Sequence, residues 1–146
     1  PSLSFQKPIV DASEHADVYN VEKLVDGDTG GTSYYESVNT FPAYVVIDLL
    51  DLYDISVIVL HLPPALEWNA RSQEIEILTS NSNVTYNKLS TTFVTSVVKT
   101  SYLFDPITGN MNIINLSVSL RYLKIVIHSN SNPGNTGGQL SEVNVY

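Results

Sequence analysis

An all-β fold, an antiparallel β-sandwich of the jelly-roll kind, is what this chain predicts, on three observations. Short runs rich in β-branched residues recur along it. Several of these runs alternate apolar with polar residues. Stretches of Asn, Ser, Gly, Pro and Asp separate them. No segment keeps a helical period over more than two turns. At 146 residues the chain has the length of one domain able to bury a core without staples. No repeat, linker or low-complexity tract divides residues 1–146, so one domain is expected.

The elements follow in order. Residues 17–24 have room for one short helix, with Ala16, Val18, Val21 and Leu24 partly periodic. Residues 44–49 and 55–60 read as two strands. In residues 73–78, Glu74 and Glu76 alternate with Ile75 and Ile77, which places both glutamates toward solvent. Residues 111–116 and 143–146 read as strands. Residues 121–128 do so too, with Leu123, Ile125 and Ile127 on one side and Tyr122, Lys124 and Val126 on the other. Turn formers fill residues 81–83, 105–110 and 130–138.

Composition narrows the function. The formal net charge is −8 with only 7 Lys+Arg, so the clustered cations that nucleic acid and anionic membranes require are missing. No apolar run approaches the roughly 20 residues of a membrane-spanning helix. Hydrophobic residues at 43% and charged residues at 15% fit a folded protein rather than a disordered one. Cysteine is absent, which excludes disulfides, thiol nucleophiles and thiolate metal sites. The histidines at 15, 61 and 128 stand apart, with no His-Glu-x-x-His pair and no Gly-x-Ser-x-Gly elbow. No catalytic constellation is expected.

The densest chemistry lies in residues 25–36. Asp26 and Asp28 stand among Gly27, Gly30 and Gly31, with Thr29 and Thr32 beside them and Tyr34, Tyr35 and Glu36 following. Calcium takes about 6–8 oxygen ligands, and glycines let a backbone curl to aim several at one point. The residues fit either a metal loop or an acidic turn without an ion.

Four landmarks in sequence resemble the discoidin (coagulation factor 5/8 type C) domain, above all its bacterial versions among family 32 carbohydrate-binding modules. The first is Asp11-Ala12-Ser13 leading to Val25-Asp26-Gly27-Asp28. The second is Thr32-Ser33-Tyr34-Tyr35-Glu36-Ser37, followed by Phe41-Pro42 and the strand ending Ile47-Asp48-Leu49. The third is Leu60-His61-Leu62-Pro63-Pro64, then Trp68-Asn69-Ala70-Arg71. The fourth is Arg121-Tyr122-Leu123-Lys124-Ile125 and the closing Gln139-Leu140-Ser141-Glu142. In this chain Tyr34 or Tyr35 stands where the family usually has Trp, and Thr32 lies one residue further from Asp26 than the family's threonine.

The resemblance implies a discoidin-like β-sandwich and a structural calcium. The ion would be held by Asp26, Asp28, Thr32 and Glu142 with backbone oxygens of Lys23 and Ser141. It also implies a non-catalytic module that holds a secreted, multidomain bacterial enzyme on a polysaccharide, with an α-glucan or a chitosan-like polymer favoured. The module would be an extracellular monomer beside a tethered catalytic domain. It would need neither nucleic acid nor membrane insertion. For the sugar, a flat aromatic and rigid polar groups are required. Glu14, His15, Tyr35, Glu36, Glu67, Trp68, Arg71 and the 132–136 loop are the expected contacts. Trp68 fits either this role or a cap on the core with Arg71 paired to a carboxylate. The alternative function is a calcium-stabilised protein-interaction or adhesion module using the same loops.

Overall fold

Two long strands organise the molecule, whose structure, a computed structural model, describes residues 1–88, 99–132 and 136–146. In chain order the strands are β1 (Ile9–Ala12), β2 (Tyr35–Glu36), β3 (Ala43–His61), β4 (Arg71–Ser80), β5 (Asn87–Lys88), β6 (Thr100–Phe104), β7 (Met111–Asn130), β8 (Gln139–Leu140) and β9 (Glu142–Val145). Every pairing among them is antiparallel. The chain is an antiparallel β-sandwich.

Residues 44–49 and 55–60, expected as two strands, are halves of β3, and residues 111–116 and 121–128 are halves of β7. The first half of β3 pairs with β1 and with the second half of β7. Its second half pairs with β9 and with the first half of β7. Between the halves the register shifts from Asp48 to Tyr53, and Leu50 takes φ 70°. A bulge bends a strand without breaking its ladder, so turn-like residues in sequence become a bend. A second shift between Ile55 and Val57 changes which residues face inward: Val45, Ile47 and Leu49 before it, Ile58 and Leu60 after it.

The core forms where these faces meet. Val45 and Ile47 lie opposite Ile125 and Leu123, and Ile75 and Ile77 opposite Ile127 and Ile125. Ile58 and Leu60 pair with Val145 and Val143. Each such side chain, fully buried, contributes about 1.5–3 kcal/mol relative to exposure. The expected helix over residues 17–24 is instead a short 3₁₀ turn, Val21–Val25, that buries Leu24 and Val25 against this core. No α-helix forms over the segment, because Asp17 stands at φ 43° and Asn20 is extended at ψ 169°, which leaves only Val21–Val25 to turn.

The outer face of the sheet is polar but not fully wet. Glu74 is exposed as expected, whereas Glu76 is covered. Its carboxylate meets Lys88 at 3.5 Å and His128 at 3.1 Å, leaving 11% of the side chain exposed. On the same face Asp48 accepts two bonds from Arg121, at 2.9 and 3.0 Å, and one from the Leu50 N–H at 2.8 Å. The Arg121 bonds hold its carboxyl below the ordinary aspartate value against the opposing effect of burial. A depressed native value adds stability that is present above the unfolded value and lost as pH falls through the native one. Asp48→Asn is therefore expected to lower the melting midpoint by a few degrees at neutral pH. The difference from the parent protein should close once the pH is well below the aspartate range.

Candidate functional site

Strand β2 decides which tyrosine faces out. Tyr35 pairs with Leu140 and Glu36 with Gln139. Alternation along the strand then sends Tyr35 inward, where it is 1% exposed and packs in the core. Tyr35, expected at the ligand face, is a core residue and has no surface to offer. Its hydroxyl is buried without a hydrogen-bond partner, and burial raises its pKa. Removing an unsatisfied hydroxyl is close to neutral or stabilising. Tyr35→Phe is expected to leave ligand binding unchanged and to keep stability within about 1 kcal/mol of the parent, as chemical denaturation would read.

The neighbouring Tyr34 faces out instead. Its ring stacks on Tyr19, with centroids 4.4 Å apart and planes at 18°, and meets Trp68 edge-on at 4.7 Å and 88°. Both are favoured aromatic geometries. Burial, then Tyr19 and Glu36, raise the Tyr34 phenol above its ordinary value, so it stays a neutral donor. Trp68 ends the 3₁₀ turn Leu66–Trp68. Asn69 follows in the left-handed region at φ 52° and reverses the chain, so that Arg71 opens β4 directly under the indole. The Arg71 guanidinium carbon sits 4.9 Å from the Trp68 ring centroid.

Behind these groups lies a polar network that sequence reasoning did not foresee. Arg71 Nη1 donates to Gln139 Oε1, which also accepts Asn130 Nδ2 at 3.2 Å. Gln139 Nε2 donates to Glu36 Oε1 at 2.7 Å. Gln73 and Gln139 bond reciprocally, through Gln139 N–H to Gln73 Oε1 at 2.9 Å and Gln73 Nε2 to the Gln139 carbonyl at 2.8 Å. A satisfied buried network fixes the orientation of its members. Here it helps to hold Arg71, only 5% exposed, over the indole.

Tyr34, Trp68, Arg71, Gln139, Glu67 and Thr32 line an open hollow of about 370 Å³, with Gly31 and Ala65 completing its wall. Trp68, Arg71 and Glu67 were expected here. Glu36 reaches the hollow only through Gln139. Glu14 and His15 do not line it; they are exposed beside Ser37 and Val38, where His15 bridges Ser37 and the Glu14 carbonyl accepts the Val38 N–H. Of the 132–136 loop, residues 133–135 lie outside the described residues. Asn132 and Thr136 bond each other at 3.2 Å.

The expected metal loop abuts this hollow. Glu142, 0% exposed, receives the Gly27 N–H on both carboxylate oxygens, at 3.2 and 3.0 Å. Asp26 accepts the Asp28 N–H and the Ser33 hydroxyl, and Asp28 accepts the N–H groups of Gly30 and Gly31. The hydroxyl that meets Asp26 is thus Ser33. Thr32, expected in the metal loop, lines the hollow. Lys23 stands in the preceding 3₁₀ turn and Ser141 beside Glu142.

Two features fit a hard cation. Burial foremost, with Asp26 and Asp28 adding and the Gly27 N–H opposing, pushes Glu142 up to about 8, the mark of a buried acid without a neutralising partner. The Ser141 hydroxyl beside it is buried and unpartnered. Among the described residues no three acidic or histidine side chains are grouped around one point, so backbone oxygens would supply most of the ligands.

The other histidines have structural partners: His61 Nε2 meets Asn144 Oδ1 at 2.6 Å, and His128 meets Glu76. Burial lowers the His61 pKa, so it stays neutral against Asn144.

The F5/8 type C domain model matches residues 9–143. The chain belongs to this family. Among solved structures, this F5/8 type C domain resembles the crystal structure of SpGH29 at TM-score 0.73 and 15% identity, covering 100% of the chain but 28% of SpGH29. The CpGH89CBM32-4 module of Clostridium perfringens, in complex with GlcNAc-α-1,4-galactose, aligns at TM-score 0.71 and 12% identity, over 100% of this chain and 94% of that one. Chitosan-binding module 2 of a Paenibacillus sp. IK-5 chitosanase/glucanase, in complex with chitotriose, aligns at TM-score 0.68 and 19% identity, over 99% and 98%. At these identities the likeness is one of fold. No curated protein sequence matches significantly.

Proposed function

We propose that this F5/8 type C domain is a non-catalytic carbohydrate-binding module and that the hollow beside Trp68 is its binding site. One observation carries the reading: two aromatic rings at 88° and a guanidinium line the same open space, backed by a polar network through Gln139. A ring such as the indole covers the apolar C–H face of a pyranose, and rigid polar groups reach its hydroxyls without losing much entropy. Structural neighbours crystallised with bound sugars support the reading. So does the lining. A protein-interaction or adhesion module would need an apolar surface, whereas among the described residues Ala65 is the only aliphatic side chain lining this hollow.

In the full reading the module is extracellular and monomeric, part of a secreted bacterial enzyme, and raises local substrate concentration for a tethered catalytic domain. Calcium held by Glu142 and backbone oxygens of Lys23 and Ser141 would neutralise the buried carboxylate and fasten the acidic loop to β9. Asp26 and Asp28, which are not grouped with Glu142 around one point in the structure, would have to converge on the ion. Of the polymers expected from sequence, an α-glucan and a chitosan-like chain, the second brings ammonium groups that meet a like charge at Arg71. Pull-down on insoluble polysaccharides and a glycan array test the proposal. Retention on at least one glycan, with micromolar to millimolar affinity for the isolated domain, is the expected result. Failure on every glycan would overturn it.

A further inference from the structure

Arg71 is a buried cation without an anion. It is 5% exposed, yet none of the ion pairs among the described residues includes it. Among the described residues its bonds are one from Nη1 to the Gln139 amide oxygen and a long one of 3.5 Å from Nε to the Asn69 carbonyl, with none from Nη2. The chain holds no carboxylate elsewhere to supply the partner, since residues 89–98 and 133–135 contain no Asp or Glu. Glu36 is the nearest candidate, but the Gln139 side chain stands between the two, taking Arg71 on its oxygen and giving its N–H to Glu36. Burial disfavours the charged guanidinium and lowers its pKa, with Glu36 and Tyr34 only partly offsetting this. A buried charge is normally paired or bonded throughout. Here Arg71 lines the hollow, with Nη2 unpartnered among the described residues.

We infer that the sugar unit taken by this hollow carries a carboxylate group, that of a uronic acid, and that Arg71 is the residue that selects it. The inference rests on the reading of the hollow as a carbohydrate site. An arginine fork binds a carboxylate through two parallel N–H···O bonds, stronger than bonds to neutral hydroxyls. The ring of the same sugar then lies along Trp68 and Tyr34. Two acidic side chains stand nearby and do not reverse the preference. Glu67 is exposed, so water screens it, and one oxygen of Glu36 is occupied by Gln139. At a distance the net charge of −8 repels a polyanion. Salt weakens that repulsion more than it weakens a desolvated contact at the guanidinium.

The test compares polygalacturonate, alginate and hyaluronan with their carboxyl-reduced forms, in which each carboxylate becomes a neutral hydroxymethyl group on the same backbone. A neutral α-glucan and chitosan oligomers complete the panel, with binding read by calorimetry at fixed salt. The wild-type domain should bind at least one polyuronate at least tenfold more tightly than its reduced form. Arg71→Gln should erase that difference, and Arg71→Lys should restore only part of it, for want of the fork. Equal binding of the acidic and reduced forms overturns the inference, as does tighter binding of glucan or chitosan than of every polyuronate; either leaves the carbohydrate reading standing. Binding to nothing in the panel, or in the wider glycan array, overturns both. Because the wild-type comparison decides, the result holds even if an Arg71 variant fails to fold.

Discussion

Replacing Trp68 with alanine is expected to weaken glycan binding by about 30- to 150-fold, a loss of about 2–3 kcal/mol, the range of an aromatic hot spot at a small site. The indole does three things at once. It offers the stacking face, it holds Tyr34 by an edge contact at 4.7 Å, and it lies against the Arg71 guanidinium at 4.9 Å. Weak starting affinities make such a loss amount to no detectable binding in a pull-down. The fold should survive, because Trp68 sits on a surface turn and only part of its area packs on the core. Trp68→Phe keeps an aromatic face and should recover part of the affinity. A Trp68→Ala domain that melts like the parent and binds like it would remove the hollow from the account.

The second large effect is the response of stability to calcium and pH. Glu142 moves from the ordinary glutamate value of 4.5 to about 8 in the folded, metal-free domain. Between those values the folded state keeps a proton that the unfolded chain has released. Stability of the metal-free domain therefore falls as pH rises through that window, by at most about 1.4 kcal/mol per pH unit and a few kcal/mol in all. A bound cation requires the ionised carboxylate, so with calcium the slope should flatten and the midpoint at pH 8 should rise. At a calcium concentration 100 times the dissociation constant the gain is about 2.7 kcal/mol. For a domain of this size that corresponds to roughly 5–11 °C. Melting curves with calcium and with chelator, at pH 5 and pH 8, measure it. An identical midpoint with and without chelator at pH 8 would sink the calcium proposal, and Glu142→Gln should then be the stabler protein at that pH.

Much of this was legible in the residues, and the rest was not for definite reasons. Alternation in residues 73–78 and 121–128 gave the inward faces of β4 and β7 correctly, because the pleat alone sets them. The joining of residues 44–49 to 55–60 was hidden, since a bulge and a turn share the same residue types and only the pairing with β7 tells them apart. Trp68 and Arg71 stood out as the single tryptophan and a nearby cation in a polar turn. Tyr34 and Tyr35 were indistinguishable as neighbours. The phase of β2, fixed by pairing of Tyr35 with Leu140, decides which one enters the core. Gln139 was noticed only as part of a closing motif. Its place between Arg71 and Glu36 depends on three segments far apart in the chain, which no local pattern reveals. The bond from the Ser33 hydroxyl to Asp26 was likewise invisible, since it depends on how the loop folds back on itself.

The single tryptophan makes the central claim directly measurable. Its indole N–H gives one resonance of its kind in a nitrogen-edited spectrum, and Trp68 lies in the wall of the hollow. Titration with a glycan that the domain binds should shift that resonance in a saturable way. The affinity should equal the one obtained by calorimetry, and the backbone signals of Tyr34 and Gln139 should move with it. A glycan that binds with the same affinity while the Trp68 indole and both of those signals stay in place would contradict the account.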